Sequence, residues 1–421
     1  MERRAFVKSG ALALVTMGLS PSFLRRTAFG MPTTAVARGK TLVCLFQRGA
    51  ADGLNIIVPH GEEAYYSLRP TIAVPRPGAV NGAIDLDGFF GLHPSLAPFK
   101  SLWDQKLLAP IHAVGSPSTT RSHFDAQDYM ETGTPDVKGT TDGWLNRLLA
   151  VQGTCEQHDN GAICTTPFRA VAMTPQTPRI LEGHTETVAM NSLGEFSVRA
   201  TGTEAQRLEA LYRTGSADLV HGTGQEMFDA VKMLHSANPQ QYKPRNNAQY
   251  PKTQFGQRLM QIAQLIKADV GMEIAFADVG GWDTHVNQGA GTGQLAARLD
   301  DFSTSIAAFV QDLGDRMNDV TVLTMSEFGR TAHENGTRGT DHGHATTFFV
   351  LGGDVKGGKV YGKWPGLAPE QLNEGRDLRL TTDFRTVFNE VATRHLGVAR
   401  ANQIFPGYAG TTREWLGVVR G

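Results

Sequence analysis

Carboxylate and imidazole side chains recur in three short polar segments of the chain. Carboxylate oxygens and imidazole nitrogens are the ligands that divalent zinc and manganese ions take in proteins. The three segments therefore predict a metal site, and with it metal-dependent hydrolysis. The five candidate ligands in these segments are Asp283 and His285, Glu327, and His342 and His344.

The spacing within the segments supports one shared site. Asp283 and His285 lie two residues apart, so in extended backbone their side chains point the same way and can reach one ion. His342 and His344 have the same spacing. A single loop histidine usually bonds only to backbone, but five potential ligands near predicted strand ends favour a metal site. Asp341 is a candidate for orienting one of these histidines through a hydrogen bond, without binding the metal itself. Two further histidines are alternative candidate ligands: His123 and His333.

Apolar runs next to these segments predict the elements that position them. Two of these runs precede the first two segments, at residues 274–279 and 320–325, and are interpreted as buried parallel strands. A third run, at 346–351, follows the third segment. Residues just past the C-terminal ends of parallel strands form the site in such proteins. The alternation of strands and helices along the chain predicts a three-layer α/β sandwich with a mostly parallel central sheet.

Asp52 follows another buried apolar run, residues 42–46. Its position at a strand end is where a carboxylate ligand would lie, and the small residues around it would let the backbone approach an ion. Asp52 and Gly53 are equally well interpreted as an ordinary turn pair. The residues themselves leave the two interpretations even.

Ser122 is a candidate helix N-cap, because Asp125 lies three residues on and a helical pattern follows. A hydroxyl at a helix N-terminus also lies in positive potential, which favours its alkoxide and a bound anion. Ser122 is therefore a cap, a nucleophile or both, and capping is the more common role. A serine–histidine–aspartate triad is a weaker alternative, because the chain has no Gly-x-Ser-x-Gly elbow.

Two arginines are candidates for neutralising negative charge in a transition state, Arg330 and Arg48. Arg330 could bind a substrate oxyanion through two nitrogens, or it could pair with Glu327.

Composition narrows the classes of function. The chain has 421 residues and a formal net charge of -1, whereas a nucleic-acid-binding protein is usually basic. No stretch after the N-terminus is long and apolar enough to span a bilayer. Cys44 reads as a buried free thiol, and Cys155 and Cys164 could form a disulfide across a polar loop in an oxidising compartment.

The N-terminus predicts export. Residues 3–8 have the twin-arginine form, 11–19 are a modest apolar stretch, and 35–37 supply small residues for cleavage. Residues 1–37 are thus interpreted as a twin-arginine signal peptide, and 38–421 as one α/β domain. The mature protein would be periplasmic or secreted.

Together these motifs resemble the DUF1501 family of twin-arginine-exported bacterial proteins. The resemblance covers nearly the whole mature chain, with its motifs in order. The five motifs are residues 47–55, 121–127, 281–285, 326–331 and 341–344.

That family in turn resembles a remote branch of the alkaline phosphatase and sulfatase superfamily, by the order of its parts along the chain. The resemblance implies an alkaline-phosphatase-like fold and two divalent ions of zinc, manganese, magnesium or calcium. It also implies hydrolysis of a phosphate, sulfate or phosphonate ester on a small molecule or a polymer. The residues that follow the superfamily's order are Asp52, Ser122, Asp283 with His285, Glu327, and His342 or His344.

This sequence departs from the superfamily pattern at several points. Phe328 stands where the superfamily usually has histidine, and the step from Asp283 to His285 is shorter than usual. No Cys-x-Pro-x-Arg segment is present, so a typical sulfatase is not expected. The alternative to a hydrolase is a non-catalytic exported protein that keeps the fold and binds a partner or a glycan.

Overall fold

The computed structural model describes residues 39–153, 166, 168–195, 242–398 and 401–420, and an eight-stranded sheet lies at its centre. A smaller sheet of three short strands lies beside it. The large sheet contains β1 (Thr41–Gln47), β5 (Leu108–Gly115), β6 (Ala170–Ala172), β7 (Val188–Ala189), β8 (Ile274–Val279), β9 (Val320–Met325), β10 (Thr346–Gly352) and β11 (Thr382–Asp383). The small sheet contains β2 (Ile57–Val58), β3 (Ile84–Asp85) and β4 (Gly91–Leu92).

Strand order in the large sheet is β11-β5-β10-β9-β1-β8-β6-β7. β10 pairs antiparallel with both β9 and β5, and every other pairing in this sheet is parallel. The predicted mostly parallel sheet is confirmed, with β10 as the exception. β10 follows β9 after only twenty residues that contain no helix, too short a path for a parallel crossover.

Helices cover both faces of the sheet, as predicted for a three-layer sandwich. The α-helices are α1 (Gly53–Ile56), α2 (Glu63–Leu68), α3 (Ala97–Asp104), α4 (His123–Thr132), α5 (Trp144–Gln152), α6 (Gln254–Lys267), α7 (Gln294–Leu313), α8 (Phe384–Leu396) and α9 (Ala401–Ile404). Short 3-10 helices lie at Pro94–Leu96, Arg179–Leu181, Leu193–Glu195, Gly314–Asp319 and Thr412–Glu414.

Alternation along β1 assigns the two core layers. Val43 and Leu45 face the layer that contains α3, α6 and α7. Cys44 and Phe46 face the opposite layer, where α5 and α8 pack. β1 is buried on both sides, which is why its sequence is a continuous apolar run without polar alternation. Cys44 is a buried free thiol, as predicted.

One edge of the sheet collects the polar segments. The parallel strands β5, β9, β1 and β8 all end there, and antiparallel β10 begins there. The segments that follow or precede these ends are residues 116–122, 326–331, 48–52, 280–285 and 341–345. The topology alone therefore brings the five sequence motifs to a single edge.

Some predictions fall on residues outside the described ranges. They are the signal peptide at 1–37 and the pairing of Cys155 with Cys164. Within the described residues, no helix has both the length and the apolar character needed to cross a membrane.

Candidate metal centre

Two glycines hold the segment after β9 against the segment before β10. The Gly343 amide donates to the Gly329 carbonyl at 2.8 Å, and the Gly329 amide donates to the His344 carbonyl at 2.7 Å. A Cβ on Gly343 would lie 2.3 Å from the carbonyl carbon of Arg330, so a larger residue would push the two segments apart. This close pairing fixes His342 opposite Arg330.

A third glycine brings in the segment after β8. Gly49 has a φ of 121°, and a Cβ there would lie 2.8 Å from the Asp283 amide nitrogen. The loop after β1 can therefore lie directly against the backbone of Asp283. This approach sets the position of the Asp283 carboxylate at the sheet edge.

Three imidazoles and one carboxylate meet at this edge. His342 Nε2 lies 3.0 Å from His123 Nε2 and 3.0 Å from His285 Nε2. Asp283 Oδ1 lies 3.0 Å from His285 Nε2 and 3.3 Å from His342 Nε2, and Asp283 Oδ2 is 3.5 Å from His123 Nε2. We call these four residues the histidine cluster. His123, Asp283 and His342 meet the distance condition for holding one metal ion within the described part of the chain.

Each of the three rings has its Nδ1 against an oxygen that can only accept. His123 Nδ1 lies 2.8 Å from Glu327 Oε1, and His285 Nδ1 lies 3.1 Å from Asp341 Oδ1. The third, His342, has Nδ1 at 2.9 Å from the Arg121 carbonyl oxygen. In a neutral ring Nδ1 must then carry the proton, so Nε2 carries a lone pair. Three such lone pairs point at one another, which is the arrangement that carboxylate and carbonyl partners give to metal-binding histidines.

Ring protons alone do not satisfy every contact among the three imidazoles. Its hydrogen bond to Glu327 raises the pKa of His123, and burial lowers the pKa of His342. A proton on His123 could serve one contact with His342, but His342 Nε2 has a single lone pair and two imidazole neighbours at 3.0 Å. Nitrogen ligands about 2.0–2.1 Å from a tetrahedral ion stand roughly 3.3 Å apart, close to the spacing here.

Arg330 closes the buried side of the cluster. Its guanidinium is 1% exposed and donates from Nη2 to Asp283 Oδ1 at 2.5 Å. Burial lowers the pKa of Arg330, although the Asp283 charge opposes that shift. Burial also acts to raise the pKa of Asp283, but the Arg330 charge outweighs it and the net shift is downward. Arg330 thus pairs with Asp283, and the alternative pairing with Glu327 is not seen.

Glu327 is not a member of the cluster but contacts it through His123. Oε1 accepts from His123 Nδ1 and from the Gly49 amide, both at 2.8 Å, and from Gln127 Nε2 at 2.9 Å. Burial raises the pKa of its carboxyl, but the hydrogen bonds from His123 and Gln127 outweigh burial and leave it below the usual value. The structure therefore places Glu327 as the carboxylate that orients His123, although we expected it to bind an ion directly.

Changing Glu327 to glutamine should weaken metal binding by about 10- to 100-fold, the usual cost of losing a carboxylate behind a ligand. The amide keeps the volume but removes the charge that holds the Nδ1 proton of His123. The measurement is competition with a chromogenic chelator at pH 7.5. An affinity within about twofold of the wild type would show that Glu327 does not orient a ligand.

Asp52 lies apart from the cluster in a buried ion pair. Arg69 Nη1 donates to its Oδ2 at 2.6 Å and Arg69 Nη2 donates to its Oδ1 at 3.0 Å. Gln288 Nε2 adds a third bond, to Oδ2 at 2.6 Å. Because both oxygens are engaged by a fully buried guanidinium, this geometry does not support a ligand role for Asp52.

His344 is also outside the cluster. Its Nε2 lies 2.9 Å from the Ser116 carbonyl oxygen, so the ring turns away from His342. Two-residue spacing places His342 and His344 on one side only where the backbone is extended, and here the backbone bends at His344. We therefore retain His342 and leave out His344.

The two remaining predicted residues lie near the cluster without joining it. Ser122 is the N-cap of α4, with its hydroxyl accepting from the Asp125 amide at 3.5 Å, which confirms the capping interpretation. The predicted charge-neutralising residue Arg48 donates to Asp278 Oδ2 at 2.7 Å and to Glu131 Oε1 at 2.8 Å. These two carboxylates already balance its charge.

The sequence analysis named one member of the cluster, His123, only as an alternative ligand. His123 is the first residue of α4, directly after the Ser122 cap, and its ring stacks on Phe328 with centroids 4.9 Å apart. The signal that could have identified it is the position of Ser122 itself, since the residue after a cap begins a helix aimed at the sheet edge. Asp341, by contrast, does orient a histidine, as proposed.

These features define the chain as an α/β protein with a histidine–carboxylate cluster at the C-terminal edge of a mostly parallel sheet. The chain belongs to the DUF1501 family, described as proteins of unknown function, whose profile matches residues 39–405.

No curated protein sequence matches the chain. Among solved structures it is similar to the lipoteichoic acid synthase LtaP from Listeria monocytogenes, at 10% identity and a TM-score of 0.32 over 81% of this chain and 71% of that one. A protein in the alkaline phosphatase superfamily from Vibrio parahaemolyticus is 12% identical, with a TM-score of 0.32 over 84% and 70%. PsFucS1 sulfatase from Pseudoalteromonas sp. is 12% identical, with a TM-score of 0.38 over 91% and 74%. The fold described above follows from the strand order of the chain itself.

Proposed function

We propose that this protein is an exported metal-dependent hydrolase of phosphate or related esters, and that its histidine cluster holds one divalent ion. The observation that carries the proposal is the convergence of three Nε2 nitrogens beside Asp283. The order of the motifs along the chain, which resembles that of the alkaline phosphatase and sulfatase superfamily, adds the class of substrate.

The side chains present can hold such an ion and prepare an ester for attack. When bound, a divalent ion supplies Lewis acidity toward an ester oxygen. His123, His285 and His342 would hold it, with Asp283, which Arg330 fixes in place. The Asp283 side chain is 43% exposed, so the cluster is open to a substrate on its outer side.

Ser122 is the proposed nucleophile, at the positive end of α4. The hydroxyl is half-buried and directly precedes His123. The helix dipole favours negative charge at that position, whether on the serine oxygen or on a bound ester. Ser122 would then form the bond to the ester's central atom as the alcohol leaves with a proton, and water would cleave the serine ester to release the acid and restore the hydroxyl.

A pair of substitutions separates the two roles of Ser122. Ser122→Asn keeps a good N-cap but removes the hydroxyl, so we expect normal stability, full metal content and a loss of aryl phosphate hydrolysis of at least about 1,000-fold. Ser122→Ala should lose the same activity and also about 1 kcal/mol of stability. Wild-type turnover by the Asn variant would show that Ser122 only caps the helix.

One ion, and not the two implied by the superfamily resemblance, fits the described side chains. Asp52, expected at a second ion, is neutralised by Arg69 at 2.6 Å. Phe328 packs its ring against both His123 and His342, so apolar carbon fills that side of the cluster. A single equivalent of bound metal per chain is the corresponding measurement.

A non-catalytic exported binding protein is the second candidate. The observation that favours it is the Ser122 hydroxyl, whose hydrogen-bond partner is the backbone amide of Asp125 and not a base. Stoichiometric metal without turnover on any aryl phosphate, sulfate or phosphonate would favour this candidate. Metal with turnover favours the hydrolase.

Export by the twin-arginine route is part of the same proposal. Replacing Arg3 and Arg4 with lysine should retain the protein in the cytoplasm, because the route requires the arginine pair. Fractionation of cells that express the tagged full chain measures this. Equal periplasmic amounts of the two forms would rule the route out.

A further inference from the structure

Arg376 reaches the backbone of the central histidine of the cluster. Its Nη2 donates to the His342 carbonyl at 3.0 Å. The loop that carries it is fixed, because the Ala332 amide donates to the Arg376 carbonyl and the Arg376 amide donates to the Asn373 carbonyl, both at 3.0 Å. A guanidinium is therefore held beside the site by the same segment that carries Arg330.

The two arginines that the sequence analysis proposed for charge neutralisation already bind other groups of the protein. Arg330 directs Nε to the Ala50 carbonyl and Nη2 to Asp283, and it is buried. Arg48 pairs with two carboxylates within 2.8 Å. The charges of both arginines are therefore already balanced by carboxylates of the protein.

The charge of Arg376 is much less neutralised. Its ion pair within the described residues joins Nε to Asp377 Oδ1 at 3.7 Å, beyond hydrogen-bond distance. Asp377 gives its other oxygen to Arg121 at 2.8 Å, and the neighbouring Glu374 also pairs with Arg121 at 2.8 Å. The Arg376 side chain is 39% exposed.

We infer that Arg376 binds the non-bridging oxygens of a tetrahedral oxyanion held at the histidine cluster, and so selects anionic esters over neutral ones. This inference rests on the proposed function. A guanidinium presents paired N–H groups that match two oxygens of a phosphoryl or sulfuryl group. The hydrogen bond to the His342 carbonyl holds the guanidinium beside the backbone of a cluster residue.

The test is calorimetric binding of inorganic phosphate, and of sulfate in parallel, to the full mature chain loaded with one equivalent of Zn²⁺. Arg376→Gln should keep the ion and raise the phosphate Kd by about 10- to 100-fold, the value of a charge-assisted pair. The phosphate Kd of Arg376→Lys should lie between the values for the wild type and for Arg376→Gln. The stronger of the phosphate and sulfate responses identifies the kind of ester.

Arg379→Gln is the matched control. Arg379 lies three residues on and is exposed, and it donates to backbone carbonyls of residues 370–372, so phosphate affinity should stay within about twofold of wild type. If Arg376→Gln loses the ion, Arg376→Lys, which keeps a donor for the His342 carbonyl, decides by its own phosphate Kd.

Unchanged phosphate binding in the variant that retains the ion, or no binding to the metal-loaded wild type, would overturn the inference. Phosphate binding needs no turnover. A protein that binds phosphate through Arg376 yet hydrolyses nothing would therefore contradict the proposed function and leave this inference intact.

Discussion

Replacing His342 with alanine is expected to lower the affinity for a divalent ion by at least about 1,000-fold and to abolish the proposed ester hydrolysis. His342 Nε2 is the one cluster nitrogen that lies within 3.0 Å of both other imidazole nitrogens. Loss of a residue that only orients a ligand lowers metal affinity roughly 10- to 100-fold, so loss of the central ligand should lower it further. Metal content by mass spectrometry and chelator competition measure the change.

The matched control lies two residues along the chain. His344→Ala removes the same atoms from a ring that faces the Ser116 carbonyl and not the cluster, so the variant should keep one equivalent of metal. The two variants test the geometry of the cluster, because the sequence analysis proposed both histidines as ligands. Metal loss in both variants, or in His344→Ala alone, would contradict the geometry described here.

Replacing Arg69 with methionine is expected to cost about 3–5 kcal/mol of unfolding free energy, the usual price of leaving a buried charge without its partner. Arg69 and Asp52 are 0% and 1% exposed, and the guanidinium also donates to the carbonyls of Thr331 and Ala332. Urea denaturation followed by circular dichroism measures the loss. The pair links the segment after β1 with the segment after β9, so metal affinity should fall as well.

The double variant Arg69→Met with Asp52→Leu tests the cause of that loss. Removing both charges should recover most of the stability, since the destabilisation comes from the unpaired carboxylate. No recovery would mean that the backbone hydrogen bonds of Arg69 dominate. A single-variant loss below about 1 kcal/mol would instead leave Asp52 available to bind an ion.

The strands that carry the site could be predicted because buried strands have continuous apolar sequences. The runs at 42–46, 274–279 and 320–325 lie within β1, β8 and β9, as expected. The direction of β10 was missed, since an apolar run carries no information on direction. Its short helix-free connection from β9 was the available signal.

Membership of the histidine cluster could be predicted only in part. Asp283, His285 and His342 lie together, because each is next to a strand end at the same edge of the sheet. The role of Glu327 depends on His123, which lies 204 residues away in the chain, and local sequence does not contain that contact.

Asp52 shows the same limit. Its partner Arg69 lies directly after the short helix α2, 17 residues along the chain, and the local sequence around Asp52 does not indicate that the two pair. A carboxylate at a strand end has the same sequence pattern whether its partner is an ion or a buried guanidinium. The identity of the partner comes from tertiary packing.

The most direct test of the central claim is anomalous X-ray scattering at the zinc edge from crystals of the mature protein loaded with Zn²⁺. One peak enclosed by His123 Nε2, His285 Nε2, His342 Nε2 and the Asp283 carboxylate is the expected result, with about 2.0–2.1 Å to each nitrogen. A crystal without a peak at that point, or with its peak at Asp52, would contradict the assignment of the histidine cluster as a metal site.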